Sequence, residues 1–231
     1  MTIRAKSDHI PICGIGASAG GVNALQSLFR NLPNDLGLAY VVILHLAPDQ
    51  PSAMVDILGS VTKMAVHQVA DTPALEPNCV YVIPPDRELV IEGDNVHARP
   101  FSEMRGVRAP IDMLFRSLAA ARGDGMAVIL TGAGSDGSTG VSAIKEAGGV
   151  IFVQDPGEAE FPSMPLSAIA TGQADFVAPI AGLASAFRKS PAARKRCDRL
   201  MSAAPETTCD ASSAFCAPEP VTIFPATNGP R

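Results

Sequence analysis

Short, unbroken apolar runs recur along this chain, and most are followed by a segment with helical periodicity. They include Tyr40–His45, Met126–Thr131 and Val150–Gln154. Continuous apolar runs of this length are typical of strands that are buried on both faces of a parallel sheet. Strands that alternate with helices therefore predict an α/β fold: a doubly wound, mainly parallel sheet in three layers, with helices on both faces.

The same periodicities assign most of the chain to strands and helices. The predicted strands are Ile10–Ile15, Tyr40–His45, Val66–Val69, Cys79–Ile83, Glu88–Glu92, Asn95–Arg99, Met126–Thr131, Val150–Gln154 and Phe176–Pro179. The predicted helices are Gly20–Asn31, Pro51–Gly59, Pro110–Arg122, Ser138–Ala147, Pro165–Thr171 and Leu183–Lys189. The turn Glu92-Gly93-Asp94-Asn95 joins two short strands, so we expect an antiparallel hairpin at one edge of the sheet.

The 231 residues are enough for one domain with a sizeable core. We expect a short lead over residues 1–9 and a single folded domain over residues 10–189. Residues 190–231 are rich in Ala, Pro, Ser and Thr and have no apolar period, so they are predicted to be a disordered tail.

Charge and composition exclude several classes of protein. The net charge is −5 and there is no basic stripe through the predicted domain, which argues against nucleic-acid binding. No run is long enough to span a membrane and no secretory signal is present, so we expect no membrane insertion and a cytoplasmic protein. The five cysteines form no CxxC pair, which argues against a zinc site.

A glycine-rich turn follows the first predicted strand and satisfies two motifs at once. Gly16-Ala17-Ser18-Ala19-Gly20 matches G-x-S-x-G, in which small residues allow a sharp strand-to-helix turn that exposes the serine hydroxyl. Gly14–Ala19 matches G-x-G-x-x-A, a dinucleotide-binding fingerprint. Taken alone, the turn is equally well explained as packing of small residues.

The residue at the end of the second strand favours the interpretation of Ser18 as a nucleophile over a dinucleotide site. A dinucleotide site requires an acidic residue there for the ribose hydroxyls, whereas this chain has His45, and Asp49 comes too late. Because parallel strands end at one rim, His45 is expected beside Ser18 as a general base. Asp136, in the glycine-rich loop after Met126–Thr131, is the candidate that orients the histidine. Its alternative role is to cap the helix that follows.

Several motifs, in this order, resemble the catalytic domain of CheB-type chemotaxis methylesterases. They are Ile15-Gly16-Ala17-Ser18-Ala19-Gly20-Gly21, His45-Leu46-Ala47-Pro48-Asp49, Val80-Tyr81-Val82-Ile83-Pro84-Pro85, Leu130-Thr131-Gly132-Ala133-Gly134-Ser135-Asp136-Gly137, Gln154-Asp155 and Met164-Pro165-Leu166-Ser167-Ala168-Ile169. The resemblance runs from about Ile10 to Phe187. It implies a cofactor-free serine hydrolase with the triad Ser18, His45 and Asp136. The implied substrates are glutamyl methyl esters on chemoreceptor cytoplasmic helices, and receptor glutamines for members that also deamidate.

The sequence also departs from that family. About nine residues precede the first strand, so we expect no receiver domain and no control by phosphorylation in cis. Ala133 stands where many members have Met, and Ser163 replaces a usual Gly. Two alternatives stay open: an oxidoreductase that binds a dinucleotide at Gly14–Ala19, and a receptor-binding module without catalysis.

Overall fold

The structure, a computed structural model, describes residues 9–45, 53–70, 72–101 and 108–189. Nine strands occur in these ranges: β1 Ile12–Ala17, β2 Ala39–Leu44, β3 Ala65–Gln68, β4 Cys79–Val82, β5 Arg87–Glu92, β6 Asn95–Pro100, β7 Met126–Ile129, β8 Val150–Gln154 and β9 Phe176–Ala178. Six helices connect or follow them: α1 Gly21–Asn31, α2 Met54–Gly59, α3 Pro110–Ala121, α4 Ser138–Glu146, α5 Ser163–Ala170 and α6 Ile180–Lys189.

Seven of the strands form one parallel sheet in the order β3-β4-β2-β1-β7-β8-β9. The central strand β1 and its neighbour β2 are fully buried along their whole length. Apolar side chains of α1, α2 and α6 cover one face of the sheet, and those of α3, α4 and α5 cover the other. The predicted three-layer, doubly wound α/β fold is therefore confirmed.

The predicted hairpin is present, and it forms a two-stranded antiparallel sheet of its own from β5 and β6. It packs on the α3 side of the molecule, where Leu89, Ile91 and Val96 join the same apolar cluster as α3. Ile91 also donates its backbone N–H to Ser117 Oγ of α3 at 3.0 Å. The hairpin thus extends the helical layer rather than the parallel sheet.

The strand order reverses at β1. From β1 the chain passes through α1 to β2 on one side, whereas β7 pairs with β1 on the other side and leads through α4 to β8. Loops after β1 and β7 therefore diverge to opposite faces of the sheet. Such a switch point leaves a crevice at the carboxyl ends of the strands, which is where ligands bind in open α/β sheets.

Element boundaries differ from the predicted ones by a few residues. The first strand runs to Ala17, because backbone pairing with β2 continues through glycine and alanine positions that the apolar pattern alone did not include. Helix α6 begins at Ile180, where Glu158 Oε2 accepts the first backbone N–H at 2.7 Å. Asp49 and the predicted tail at 190–231 lie outside the described residues.

Two glycines of β1 allow α3 to pack closely on the sheet. A Cβ at Gly16 would lie 2.5 Å from Ile111 Cγ2, and a Cβ at Gly14 would lie 2.9 Å from Phe115 Cε1. These are two glycines of the dinucleotide fingerprint. Their small size is therefore explained by contact with a helix, without any bound phosphate.

Within the described ranges, no helix is both long and apolar enough to cross a membrane. The same ranges hold no group of three or more His, Cys, Asp or Glu side chains that could bind a metal ion.

We predict that Gly16→Ala lowers the free energy of unfolding by about 1–3 kcal/mol, because the added methyl overpacks the β1–α3 contact. Urea unfolding measures this change. Gly59→Ala is the matched control, since a Cβ there meets nothing within 4 Å. The control should leave stability unchanged or raise it by up to about 1 kcal/mol, because alanine favours the helix. Equal effects of the two substitutions would contradict this packing account.

Candidate active site

The structure brings the three candidate residues together at the carboxyl edge of the sheet. Ser18 directly follows β1, His45 directly follows β2, and Asp136 lies in the loop between β7 and α4. Strands β2, β1 and β7 are neighbours in the sheet, so their ends deliver the three side chains to one place. A backbone hydrogen bond from His45 N to Ala17 O, at 3.3 Å, continues the strand register into the site.

The imidazole of His45 lies between the hydroxyl and the carboxylate. Ser18 Oγ is 3.3 Å from His45 Nδ1, and His45 Nε2 is 3.0 Å from Asp136 Oδ2. The ring nitrogens are used in the opposite sense to the serine-protease template, in which the serine contacts Nε2 and the acid contacts Nδ1. With the ring proton on Nε2, Nδ1 is free to accept the proton of the serine hydroxyl.

Asp136 is held by a helix as well as by the histidine. Its Oδ2 accepts the backbone N–H of Ile111 at 3.1 Å, and its Oδ1 accepts that of Asp112 at 2.9 Å. These are N–H groups of the first turn of α3, which begins at Pro110 and has no side-chain cap of its own. The carboxylate therefore does cap a helix, as the alternative interpretation expected, but the helix is α3 and not α4.

Asp112, in the first turn of α3, in turn caps α4. Its Oδ1 accepts the backbone N–H of Gly140, in the first turn of α4, at 2.6 Å. The first turn of α3 is thus capped from the loop that leads into α4, and the first turn of α4 is capped from α3. Each cap sits in the electrostatically favourable position for an anion. Asp112 is only 9% exposed, and burial, followed by the repulsion of Asp136, raises the pKa of its carboxyl group.

Thr131 connects the Ser18 turn to neighbouring segments through hydrogen bonds. Its backbone carbonyl accepts the N–H of Ser18 at 3.0 Å. Its hydroxyl donates to Ala19 O at 3.1 Å and accepts the N–H of Phe161 at 2.8 Å. Its own N–H donates to the buried Gln154 Oε1 at 2.8 Å. One residue just after β7 therefore connects the Ser18 turn, the loop at Phe161 and the end of β8.

Gly132 allows the β7–α4 loop to pass directly beside Ser18. A Cβ at this position would lie 2.9 Å from Ser18 Cβ and 2.1 Å from Met164 Sδ. A glycine at this position therefore permits the close approach of the two backbones. The loop can therefore present backbone groups to any substrate bound at the serine.

The backbone N–H groups of Ala19 and Ala133 are the candidates to bind a ligand beside Ser18. The amide of Ser18 binds Thr131 O, and that of Gly132 binds Phe161 O. Among the described residues, no acceptor is found for the amides of Ala19 and Ala133, the next residue in each loop. Donors of this kind beside a hydroxyl suit a developing oxyanion, and Ala19 also lies just before the start of α1.

The sequence motifs do not identify Asp112 and Thr131 as residues of the site. The signal for Asp112 is the start of α3, where Ala109 and Pro110 supply no capping side chain while an acid stands in the first turn. Thr131 has no comparable local signal, because its contacts are to residues far away in sequence. Both residues hydrogen-bond directly to a candidate: Asp112 N–H donates to Asp136, and Thr131 O accepts the N–H of Ser18.

The comparisons with known proteins agree on one family. The model of the CheB methylesterase family matches residues 13–187. The chain belongs to the CheB methylesterase family. The same fold is seen in the crystal structure of the Thermotoga maritima CheB methylesterase catalytic domain, with a TM-score of 0.72 and 28% identity. That alignment covers 78% of this chain and 97% of that one.

Individual CheB relatives bear names that state two activities. A Leptospira interrogans protein named "Putative protein-glutamate methylesterase/protein-glutamine glutaminase" is 35% identical over 175 residues, which are 75% of this chain and 91% of that protein. A Geobacillus kaustophilus protein named "Protein-glutamate methylesterase/protein-glutamine glutaminase" is 34% identical over 183 residues, or 76% of this chain and 52% of its own length. The chain thus spans about half of the latter.

We predict that Thr131→Val lowers the free energy of unfolding by about 1–3 kcal/mol, because the isosteric methyl leaves the N–H of Phe161 without its acceptor. Urea unfolding measures the loss. Thr131→Ser keeps the hydroxyl and serves as the control, which should retain most of the stability. A serine variant as unstable as the valine variant would show that packing, and not the hydroxyl, matters.

The Asp112 carboxyl group predicts a pH dependence of stability. Because its pKa is raised above the ordinary value of 3.8, the folded protein binds this proton more tightly than the unfolded chain does. The stability of the wild type relative to Asp112→Asn should therefore fall as the pH rises from below 3.8 through the raised pKa. Urea unfolding of both proteins across this range tests it, and a difference that grows with pH would contradict it.

Proposed function

We propose that this chain is a protein-glutamate methylesterase in which Ser18 is the nucleophile, His45 the general base and Asp136 the group that orients the histidine. The observation that carries the proposal is the continuous Ser18–His45–Asp136 hydrogen-bond chain at the carboxyl edge of a CheB-family domain. The 3.3 Å separation of Ser18 Oγ and His45 Nδ1 is at the loose end of the range for a nucleophile and its base before substrate binds.

The mechanism follows from the three contacts. His45 Nδ1 takes the proton of Ser18 as Oγ attacks the ester carbonyl, and the tetrahedral oxyanion forms. His45 then passes the proton to the departing methoxy oxygen, so methanol leaves and an acyl-enzyme remains. Water, deprotonated by the same nitrogen, hydrolyses the acyl-enzyme to the carboxylate and free Ser18. Asp136 stabilises the imidazolium through Nε2 during both steps.

The oxyanion is assigned to the backbone N–H groups of Ala19 and Ala133. Ala133 follows Gly132, which touches Ser18, and Ala19 follows Ser18 itself. The Met-to-Ala departure at position 133 leaves this role intact, because the backbone N–H and not the side chain makes the contact.

The substrates we propose are glutamyl methyl esters on the cytoplasmic helices of methyl-accepting chemoreceptors. The basis is membership of the CheB family and the names of the relatives. The same names include protein-glutamine glutaminase. Deamidation uses the same acyl transfer, with ammonia in place of methanol as the leaving group, so we extend the proposal to receptor glutamines.

Two competing functions are weaker. A dinucleotide oxidoreductase needs a free acidic group at the end of β2, but His45 stands there and is engaged with Asp136 and Ser18. A receptor-binding module without catalysis would not require the serine, histidine and carboxylate to be held in hydrogen-bonding register. NAD-induced thermal stabilisation, or receptor binding without turnover, would support these two functions respectively.

We predict that Ser18→Ala reduces methanol release from a methylated receptor by several orders of magnitude, as loss of the nucleophile does in other triads. Released methanol is measured with the purified protein and receptor cytoplasmic domain. Ser185→Ala is the control, because this exposed serine lies on α6 and its hydroxyl donates to Ala181 O of its own helix, away from the described residues of the site.

The control should retain wild-type activity, and both variants should unfold at the same urea concentration as the wild type. An active Ser18→Ala protein would refute the proposed nucleophile. An inactive wild type that still binds the receptor would refute the proposed esterase.

A further inference from the structure

A cleft of about 190 Å³ opens beside His45, on the β4 side of the site. Leu44, Ile83 and three prolines form its apolar lining, and Phe101, Asp86, Arg87 and Arg108 complete the wall. An apolar cavity of about 150 Å³ holds a molecule the size of benzene, so this cleft can take an amino-acid side chain. The reaction at Ser18 does not use it.

Arg108 is the best-positioned charge in this cleft. Its guanidinium carbon lies 4.1 Å from the centre of the Phe101 ring, and its Nη1 donates to Asp86 Oδ1 at 2.8 Å. The ring and the carboxylate together fix the plane of the guanidinium. The Arg108 side chain is 24% exposed, so substrate can still reach it.

The turn that carries Asp86 has a strained backbone, and this conformation supports the pairing of Asp86 with Arg108. Asp86 has φ = 52°, in the left-handed region that non-glycine residues seldom adopt. This conformation places the Asp86 side chain where it pairs with Arg108. Backbone of this kind persists only where surrounding contacts hold it, and it concentrates at functional sites.

The charged side chains that line the cleft are mainly positive, whereas the protein as a whole is negative. Among the described lining residues there are two guanidinium groups, of Arg87 and Arg108, and one carboxylate, of Asp86, whereas the net charge of the chain is −5. Arginine presents a planar set of donors that matches a carboxylate, and the apolar walls suit the methylene groups that carry it. Glutamate combines those two parts.

We propose that this cleft is a specificity subsite for an acidic side chain, glutamate in particular, of the protein substrate near the ester, and that Arg108 selects it. The proposal rests on the proposed function. Because the ester must lie at Ser18 and His45, the acidic side chain comes from a neighbouring position. On a helical substrate, residues three or four positions away share the same face.

Helical peptides with a single glutamyl methyl ester test the subsite. The residue four positions before or after the ester is Glu, Gln or Lys, and methanol release gives kcat/KM for each peptide. We expect the wild type to favour Glu over Lys by about tenfold, mainly through KM, and to lose part of this preference at high salt. The same peptides, added as competitors of receptor demethylation, report binding even where hydrolysis is slow.

Variants at Arg108 assign the preference to one side chain. Arg108→Gln should bring the Glu-to-Lys ratio close to one, and Arg108→Glu should invert it. Arg108→Lys, the mildest change, should give an intermediate ratio because it keeps the charge but not the planar donors. Arg99→Gln, in the hairpin and paired with Glu92, is the matched control and should keep the wild-type ratio.

The ratio is insensitive to a general loss of activity, because both peptides suffer equally. A wild type without preference, or Arg108→Gln and Arg108→Lys variants that keep the full preference, would overturn the subsite while leaving the esterase proposal standing. A wild type that releases methanol from neither receptor nor peptide would instead overturn the proposed function.

Discussion

The Asp136 carboxylate is the contact on which the arrangement of the site depends. Its two oxygens accept three N–H groups, from His45, Ile111 and Asp112. The two backbone donors belong to the first turn of α3, so the carboxylate is fixed by a helix and not by a mobile side chain. A helix N-terminus favours a negative charge. The two backbone N–H groups therefore anchor the carboxylate in place beside the imidazole.

The reciprocal cap extends this dependence to the packing of two helices. Asp112 binds the N–H of Gly140, and a Cβ at Gly140 would lie 2.6 Å from Phe115 Cβ, so α3 and α4 approach closely at this point. Any shift between the helices changes both caps at once. The position of Asp136 at the site is consequently coupled to the stability of the helical layer. Substitutions in this layer can alter activity without contacting substrate.

Sequence patterns predict the fold and the three candidate site residues. They do not predict the contacts that hold these residues in place, and the reason is physical. Continuous apolar runs identify buried parallel strands, and parallel strands end at one rim, so Ser18, His45 and Asp136 are expected to be near one another. The contacts of Thr131 and Asp112 join residues more than twenty positions apart, and no local periodicity encodes them. The position of the separate hairpin sheet is not predicted for a similar reason. A turn signal predicts pairing between two strands but not the layer on which they pack.

The overlap of two motifs at the Ser18 turn has a structural explanation. Gly14 and Gly16 face α3, on which β1 packs closely, whereas Gly20 has φ = 70° and leads into α1. A tight strand–turn–helix unit needs small residues at these places whether it binds a phosphate or exposes a serine. The glycine spacing therefore reports the geometry of the turn and not its chemistry. What distinguishes the two functions is the residue at the end of the adjacent strand, where His45 meets both the hydroxyl and the carboxylate.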